Sequence, residues 1–280
     1  MIFDVNAWLG VWPFRSLRDN TPAELVARLD RSGISLAAVS QIEAIFHRHP
    51  QPANEKLARI IEPFTGRLIP MATINPTEPR WEDDLTECYE NLGMRGVRLF
   101  PQYHTYDVAG SDAQSVAKAC AERGLPVVIP FRMEDTRERH WLDPGKTVDL
   151  NRIADLVATV PNATFIIPNA RGVHHTALWK REELRERPWY IDLSLTEVHY
   201  VLHKSASRMR ELAQFIDEGG AKHILFGTHL PLSYGAPALV KRAILPVDEE
   251  TLEDISYRTA ANVFGITLDR PGAPAGRVAP

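Results

Sequence analysis

The chain has 280 residues, 44% hydrophobic and 24% charged, enough apolar content to bury a large core and too much for a disordered or fibrous class. Its formal charge of −4 is spread without basic runs or a basic face interleaved with aromatics, so neither nucleic acid nor a membrane is an expected partner, and no apolar run is long enough to span a bilayer. Cys88 and Cys120 fall in helix-like segments and read as buried thiols of a reduced compartment; with IFDV starting directly after Met1, a soluble cytoplasmic protein is expected.

Along the chain, β-rich runs alternate with amphipathic segments. IFDVN reads as a first strand entering a Gly/Pro loop. TPAE then gives a capping box from Thr21 to Glu24, with Pro22 at the first helical position and Gly33 past the helix end. LAAVSQI, RLIPMATIN and GVRLF follow as strands, and SDAQ repeats the capping pattern from Ser111 to Gln114. LPVVIPF, ATFIIPN, WYIDLSL and HILFG complete a set of eight, all continuous or nearly continuous apolar runs of the kind that strands buried on both faces show. No internal repeat, glycine-rich phosphate loop or linker interrupts the series, which predicts a single-domain (β/α)8 TIM barrel over residues 1–268 and a frayed tail over 269–280. A doubly wound open sheet is the alternative. A barrel places its chemistry at the C-terminal strand ends.

In order and spacing, FDVNAW, GVRLFP, LPVVIPF, FIIPNARG, YIDLSL and ILFGTHLP resemble the strand-end signatures of the amidohydrolase superfamily. The likeness is to the branch of aminocarboxymuconate-semialdehyde decarboxylase-like enzymes and runs along nearly the whole chain. The resemblance implies a His-x-His at the end of strand one, one His each at the ends of strands five and six, and an Asp at the end of strand eight that binds metal and moves protons. The matching residues here are Asn6 and Trp8, Pro130, Asn169 and His229. A divalent ion needs several imidazole or carboxylate donors around one point, so no metal and no cofactor is expected.

What the strand ends offer instead is charge. Positions two apart on a strand share a face, so Arg132 and Arg171 would follow Pro130 and Asn169 inward, joined by Arg98 from strand four. Three guanidinium forks suit a carboxylate or phosphate; the alternative is pairing with Glu134, Asp135 and Asp192. His229 is the candidate catalytic base or acid, with a satisfied core histidine as the alternative. Asn6 and Asn169 would orient a substrate, and Asp192 and Ser194 alternate onto one face of strand seven. His104 sits with Tyr103, Tyr106 and Asp107 in the loop after strand four, and Trp8, Trp12, Phe14 and Phe100 are apolar walls or core. His140, His174 and His175 could cap the pocket or form a displaced metal site, without any ligand spacing to support it.

The expectation is a metal-independent hydrolase of lactone, ester or amide type acting on a small anionic molecule. Its catalytic residues would be His229, Arg132 and Arg171, and its binding residues Arg98, Asn6, Trp8, His104, Asn169 and Asp192. A decarboxylase or lyase of the same superfamily and an inactive barrel that binds an anionic metabolite are the alternatives; self-association is left open.

Overall fold

The computed structural model describes residues 1–135, 139–194 and 206–268, the side chains of 206–210 excepted. Eight strands form the frame: β1 (Phe3–Leu9), β2 (Leu36–Gln41), β3 in two pieces (Leu68–Pro70 and Ala72–Thr73), β4 (Val97–Arg98), β5 (Val127–Val128), β6 (Phe165–Ile167), β7 (Trp189–Asp192) and β8 (Ile224–Leu225). All pair in parallel with their sequence neighbours. The break in β3 at Met71 is a handover, because Met71 N donates to Val39 O of β2 at 2.9 Å and Ala72 N to Gly96 O before β4 at 2.9 Å. The ring closes between β8 and β1 through Val5 N to Phe226 O at 3.0 Å, His229 N to Asn6 O at 2.7 Å and Trp8 N to Leu230 O at 2.8 Å. A closed parallel ring with a helical outer layer is a (β/α)8 barrel in one domain, and closure excludes the open doubly wound sheet.

Local signals explain most of the outer layer. Helix α1 (Pro22–Arg31) starts with the full capping box of Thr21 and Glu24, and Gly33 takes the left-handed conformation beyond its end at φ +67°. The second box does not form: Ser111 is already the first residue of the helix Ser111–Glu122, Gly110 precedes it as the cap, and Gln114 donates to Ala109 O at 2.7 Å. Cys88 and Cys120 are buried free thiols, each pushed up to about 12 by desolvation. Among the described residues no helix is long and apolar enough to cross a membrane. The segment from 269 onward lies outside the described residues.

Alternation along the strands separates two apolar layers. Ala37, Val39, Val97, Val127 and Phe165 pack outward under the helices, whereas Phe3, Val5, Ala38, Met71, Val128, Ile166 and Leu225 fill the barrel. The helix Thr259–Val263 covers the N-terminal end of that interior with Ala260 and with Phe264, whose ring lies 5.3 Å from Phe3. At the opposite end Trp8, Trp12, Ile42, Ile45, Phe100, Met133 and Leu232 form a separate aromatic and aliphatic cap. Phe264→Ala should therefore cost about 3 to 5 kcal/mol of unfolding free energy in urea titration, the usual range for emptying a buried aromatic site. A loss under about 1 kcal/mol would show that the C-terminal helix does not seal the barrel.

Candidate active site

The inward placement of Asn6 and Trp8 depends on one extra residue in β1. Phe3 and Asp4 lie opposite Leu36 and Ala37, but Ala7 lies opposite Val39, so three steps on β1 match two on β2. Such a bulge shifts the alternation by one. Phe3 and Val5 face the interior below it, and above it Asn6 and Trp8 do.

Asn6, Trp8, Asn169, Asp192, Ser194 and His229 form one buried network on the axis. Asn6 Nδ2 donates to Asp192 Oδ2 at 2.9 Å and is shared with Ser194 Oγ at 3.2 Å and Asn169 Oδ1 at 3.3 Å. Asp192 Oδ1 accepts from Asn169 N at 2.9 Å and Ser194 Oγ at 2.7 Å, while Asn169 Nδ2 donates to Arg132 O at 2.8 Å. Gly227 leaves room for Asp192: a Cβ there would meet its Oδ2 at 2.3 Å. Below the network Asp4 accepts from Asn6 N at 2.9 Å and Thr228 N at 3.0 Å and from the Thr228 hydroxyl, and burial pushes its carboxyl up to about 6.

His229 is held in one protonation state. The Trp8 indole can only donate, and its Nε1 lies 3.1 Å from His229 Nδ1; Met133 O can only accept, and it lies 2.7 Å from His229 Nε2. The ring is therefore neutral with its proton on Nε2. Desolvation, aided by the charges of Arg98, Arg15 and Arg132, pushes it down to about 3. The role of catalytic base or acid expected for His229 needs a ring nitrogen free to exchange a proton. Here both nitrogens are committed and the residue is 1% exposed.

The three arginines go to three different places. Arg98 lies fully buried with its guanidinium 3.8 Å over the Trp8 ring, donating through Nη2 to Ala7 O and Ala38 O, each at 3.2 Å. Burial pushes it down to about 9 against the opposing pull of Asp4 and Asp192. Arg132 lies 3.7 Å from Asp135, both buried, in the kind of ion pair weighed from the sequence. Glu134 instead accepts from Arg15 Nε at 2.8 Å, and Arg15 also donates to Leu232 O, which ties together the loops after β1, β5 and β8. Arg171 does not follow Asn169 as alternation predicts, because Asn169 at φ +60° takes the chain out of extended conformation and breaks the period of two. It lines a cavity of about 80 Å³ at the ends of β6 and β7, with His174, Asp192, Glu211, Phe215 and Lys241. Lys241, 2% exposed on the helix Ala236–Ala243, had no local sequence signal; its Nζ lies 3.4 Å from Ser194 O. His104 stays outside the network, its ring 6.1 Å from Phe100 and pushed down to about 4 by burial.

The donors present do not fit a divalent ion at the positions the resemblance marks. Asn6 turns its nitrogen toward the acceptors and its oxygen toward the Trp8 N–H, Trp8 has no lone pair to give, Pro130 has no side-chain donor, and His229 has none left. Among the described residues no three His, Cys, Asp or Glu are grouped to hold a metal.

The neutral imidazole sets a pH dependence. Unfolded, the ring takes a proton near its ordinary 6.5; folded, it resists down to about 3, so stability present above pH 6.5 is lost as pH falls through that window. Asp4 acts with opposite sign between its ordinary 3.8 and about 6, where the folded state holds the extra proton. His229→Gln, which keeps an acceptor for Trp8 and a donor for Met133 O, should remove the acid-side loss between pH 6.5 and 4 in urea unfolding. An unchanged slope would assign that loss to other groups.

Comparison with known proteins agrees with the fold. The family model described as amidohydrolase matches residues 17–266. No curated protein matches the chain. Similar solved structures include 5-carboxyvanillate decarboxylase from Sphingomonas paucimobilis, at 15% identity over 95% of this chain and 99% of that one with a TM-score of 0.68. A dihydroxybenzoic acid decarboxylase from Polaromonas sp. JS666, solved with manganese and 2-nitroresorcinol, is 14% identical over 94% and 96% with a TM-score of 0.69. 4-Oxalomesaconate hydratase from Rhodopseudomonas palustris is 14% identical over 95% and 96% with a TM-score of 0.64. At such identities these structures share the barrel, and the family model spans nearly all of it: the chain belongs to the amidohydrolase family.

Proposed function

We propose that the chain is a metal-independent hydrolase acting on a small anionic substrate whose reacting group enters the cavity at the ends of β6 and β7. The observation that carries this reading is the double membership of Asp192. One buried carboxyl belongs both to the axial network and to the wall of a cavity that Arg171 and Lys241 also line. The two cations supply the positive charge that an anionic substrate and a carbonyl oxygen gaining charge both need. Burial raises the pKa of Asp192, which suits it to hand a proton to a leaving group. On this reading His229, with both nitrogens engaged, and Arg132, paired with Asp135, are positioning residues, as are Arg98, Asn6, Trp8 and Asn169. His104 has no part in it.

A decarboxylase is the second reading. A protonated Asp192 would equally deliver a proton to carbon after carbon dioxide departs, and two of the similar structures are named for decarboxylating aromatic acids.

The anionic ester monoethyl succinate, whose alkoxide leaving group needs a proton, tests the choice. Turnover should persist in chelator and fall about 100-fold or more in Asp192→Asn, the range for losing general acid or base help. Arg171→Lys should weaken succinate binding about tenfold, because a point charge cannot replace a bidentate fork. Succinate binding without turnover would identify a receptor, carbon dioxide release from 2,6-dihydroxybenzoate a decarboxylase, and loss of activity in chelator a metal enzyme.

A further inference from the structure

Within the cavity wall one histidine has the arrangement that His229 lacks. His174 follows Gly172, whose left-handed turn starts the short helix Val173–His175, and buried Val173 anchors that turn in the core. The His174 ring is 14% exposed, and its Nε2 lies 3.0 Å from Glu218 Oε2. Glu218 is fixed in turn: Trp179 Nε1 donates to the same Oε2 at 2.8 Å and Gln214 Nε2 to Oε1 at 3.0 Å. Trp179 is buried against Phe215, ring centroids 4.7 Å apart, so the carboxylate is held by a donor that packing has already placed. These hydrogen bonds hold the Glu218 carboxyl below the usual range, and an ionised carboxylate accepts the proton of Nε2. That leaves the lone pair on His174 Nδ1, a buried atom with no hydrogen-bond partner.

We infer that His174 is a further catalytic residue of this cavity, the base that takes a proton from the attacking water, with Glu218 and Trp179 as its positioning residues. This rests on the cavity being the reacting site. A base needs a free lone pair, a fixed ring and a partner for the imidazolium that forms; His174 has all three, with Arg171, Lys241 and Asp192 lining the same space. In the step, water oxygen bonds to the acyl carbon of an anionic ester, one water proton passes to His174 Nδ1, and the carbonyl electron pair moves onto oxygen facing the cations. Collapse re-forms the carbonyl and breaks the bond to the leaving oxygen, which takes a proton from Asp192. The acid proton left on the product then returns to Asp192 through solvent, and His174 releases its own, so that ester and water give acid and alcohol.

The experiment uses the full chain and monoethyl succinate. His174→Gln should lower kcat about 100-fold or more while succinate binding and the thermal midpoint stay at wild-type values. Glu218→Gln should cost less and move the acid limb of the kcat/KM profile, a readout that a purely structural role would not shift; the titratable and charged groups around the ring are Glu218, His175, whose ring centroid lies 5.2 Å away, and Arg171, Asp192, Glu211 and Lys241 of the cavity wall. Nitrogen-15 NMR of histidine-labelled wild-type protein gives a check that needs no variant to fold. The His174 signal should show protonated Nε2 and bare Nδ1, and should shift on adding succinate. Full activity in His174→Gln beside an inactive Asp192→Asn, or a His174 proton on Nδ1, overturns this inference and leaves the cavity reading standing. Full activity in both variants, or a wild-type protein inert toward the ester, overturns both.

Discussion

The indole N–H of Trp8 directed at His229 Nδ1 is the contact on which the rest of the barrel mouth depends. An indole nitrogen donates and never accepts, so this bond forces the imidazole to be an acceptor there and a donor at Nε2, where Met133 O receives it. The face of the same indole carries the Arg98 guanidinium, and its single N–H is shared with Asn6 Oδ1, also at 3.1 Å. That leaves the Asn6 nitrogen to serve Asp192, Ser194 and Asn169. One side chain thus settles a tautomer, an amide orientation and the seat of a cation. Where a low dielectric makes each unpaired polar group costly, such a chain of dependence is stable only when every member is present.

On the proposed reading the chemistry lies beside this axis rather than on it, for the same reason. Most side chains of the network spend their donors and acceptors on one another; Asp192 is the member that also lines the cavity, beside Arg171, Lys241 and a histidine with a spare lone pair. The chain leaves extended conformation at Asn169 just past β6, and the cavity lies there beside Leu212 and Phe215 of the helix Ala206–Asp217. Loops at barrel strand ends vary without disturbing the ring, which lets a reaction centre move by a few residues on an unchanged frame.

Much of this was legible in the sequence, and the failures have local causes. Eight apolar runs, the Thr21 capping box and the shared facing of Asn6 and Trp8 follow from alternation, cap chemistry and motif order. The Ser111 box failed because a glycine one residue earlier could take the cap position. Arg171 was misplaced because alternation was extended past Asn169, although Asn and the nearby Gly172 are residues that accept left-handed backbone and so gave a warning. His229 was read with an ordinary pKa because its partners, Trp8 and Met133, lie 221 and 96 positions away. Lys241 and the pairing of His174 with Glu218 are long-range in the same way, and no window of sequence contains them.

The guanidinium seated over Trp8 also bears on how reversible this arrangement is. Placing histidines at positions 6 and 8 would remove the aromatic face beneath Arg98 and leave a resident positive charge where a second, divalent one would have to settle. Two such charges a few ångströms apart in a poorly polarisable interior repel strongly. A divalent ion could therefore settle at this end of the barrel only if Arg98 were replaced as well, and histidines introduced singly at positions 6 or 8 would meet that electrostatic barrier before any gain.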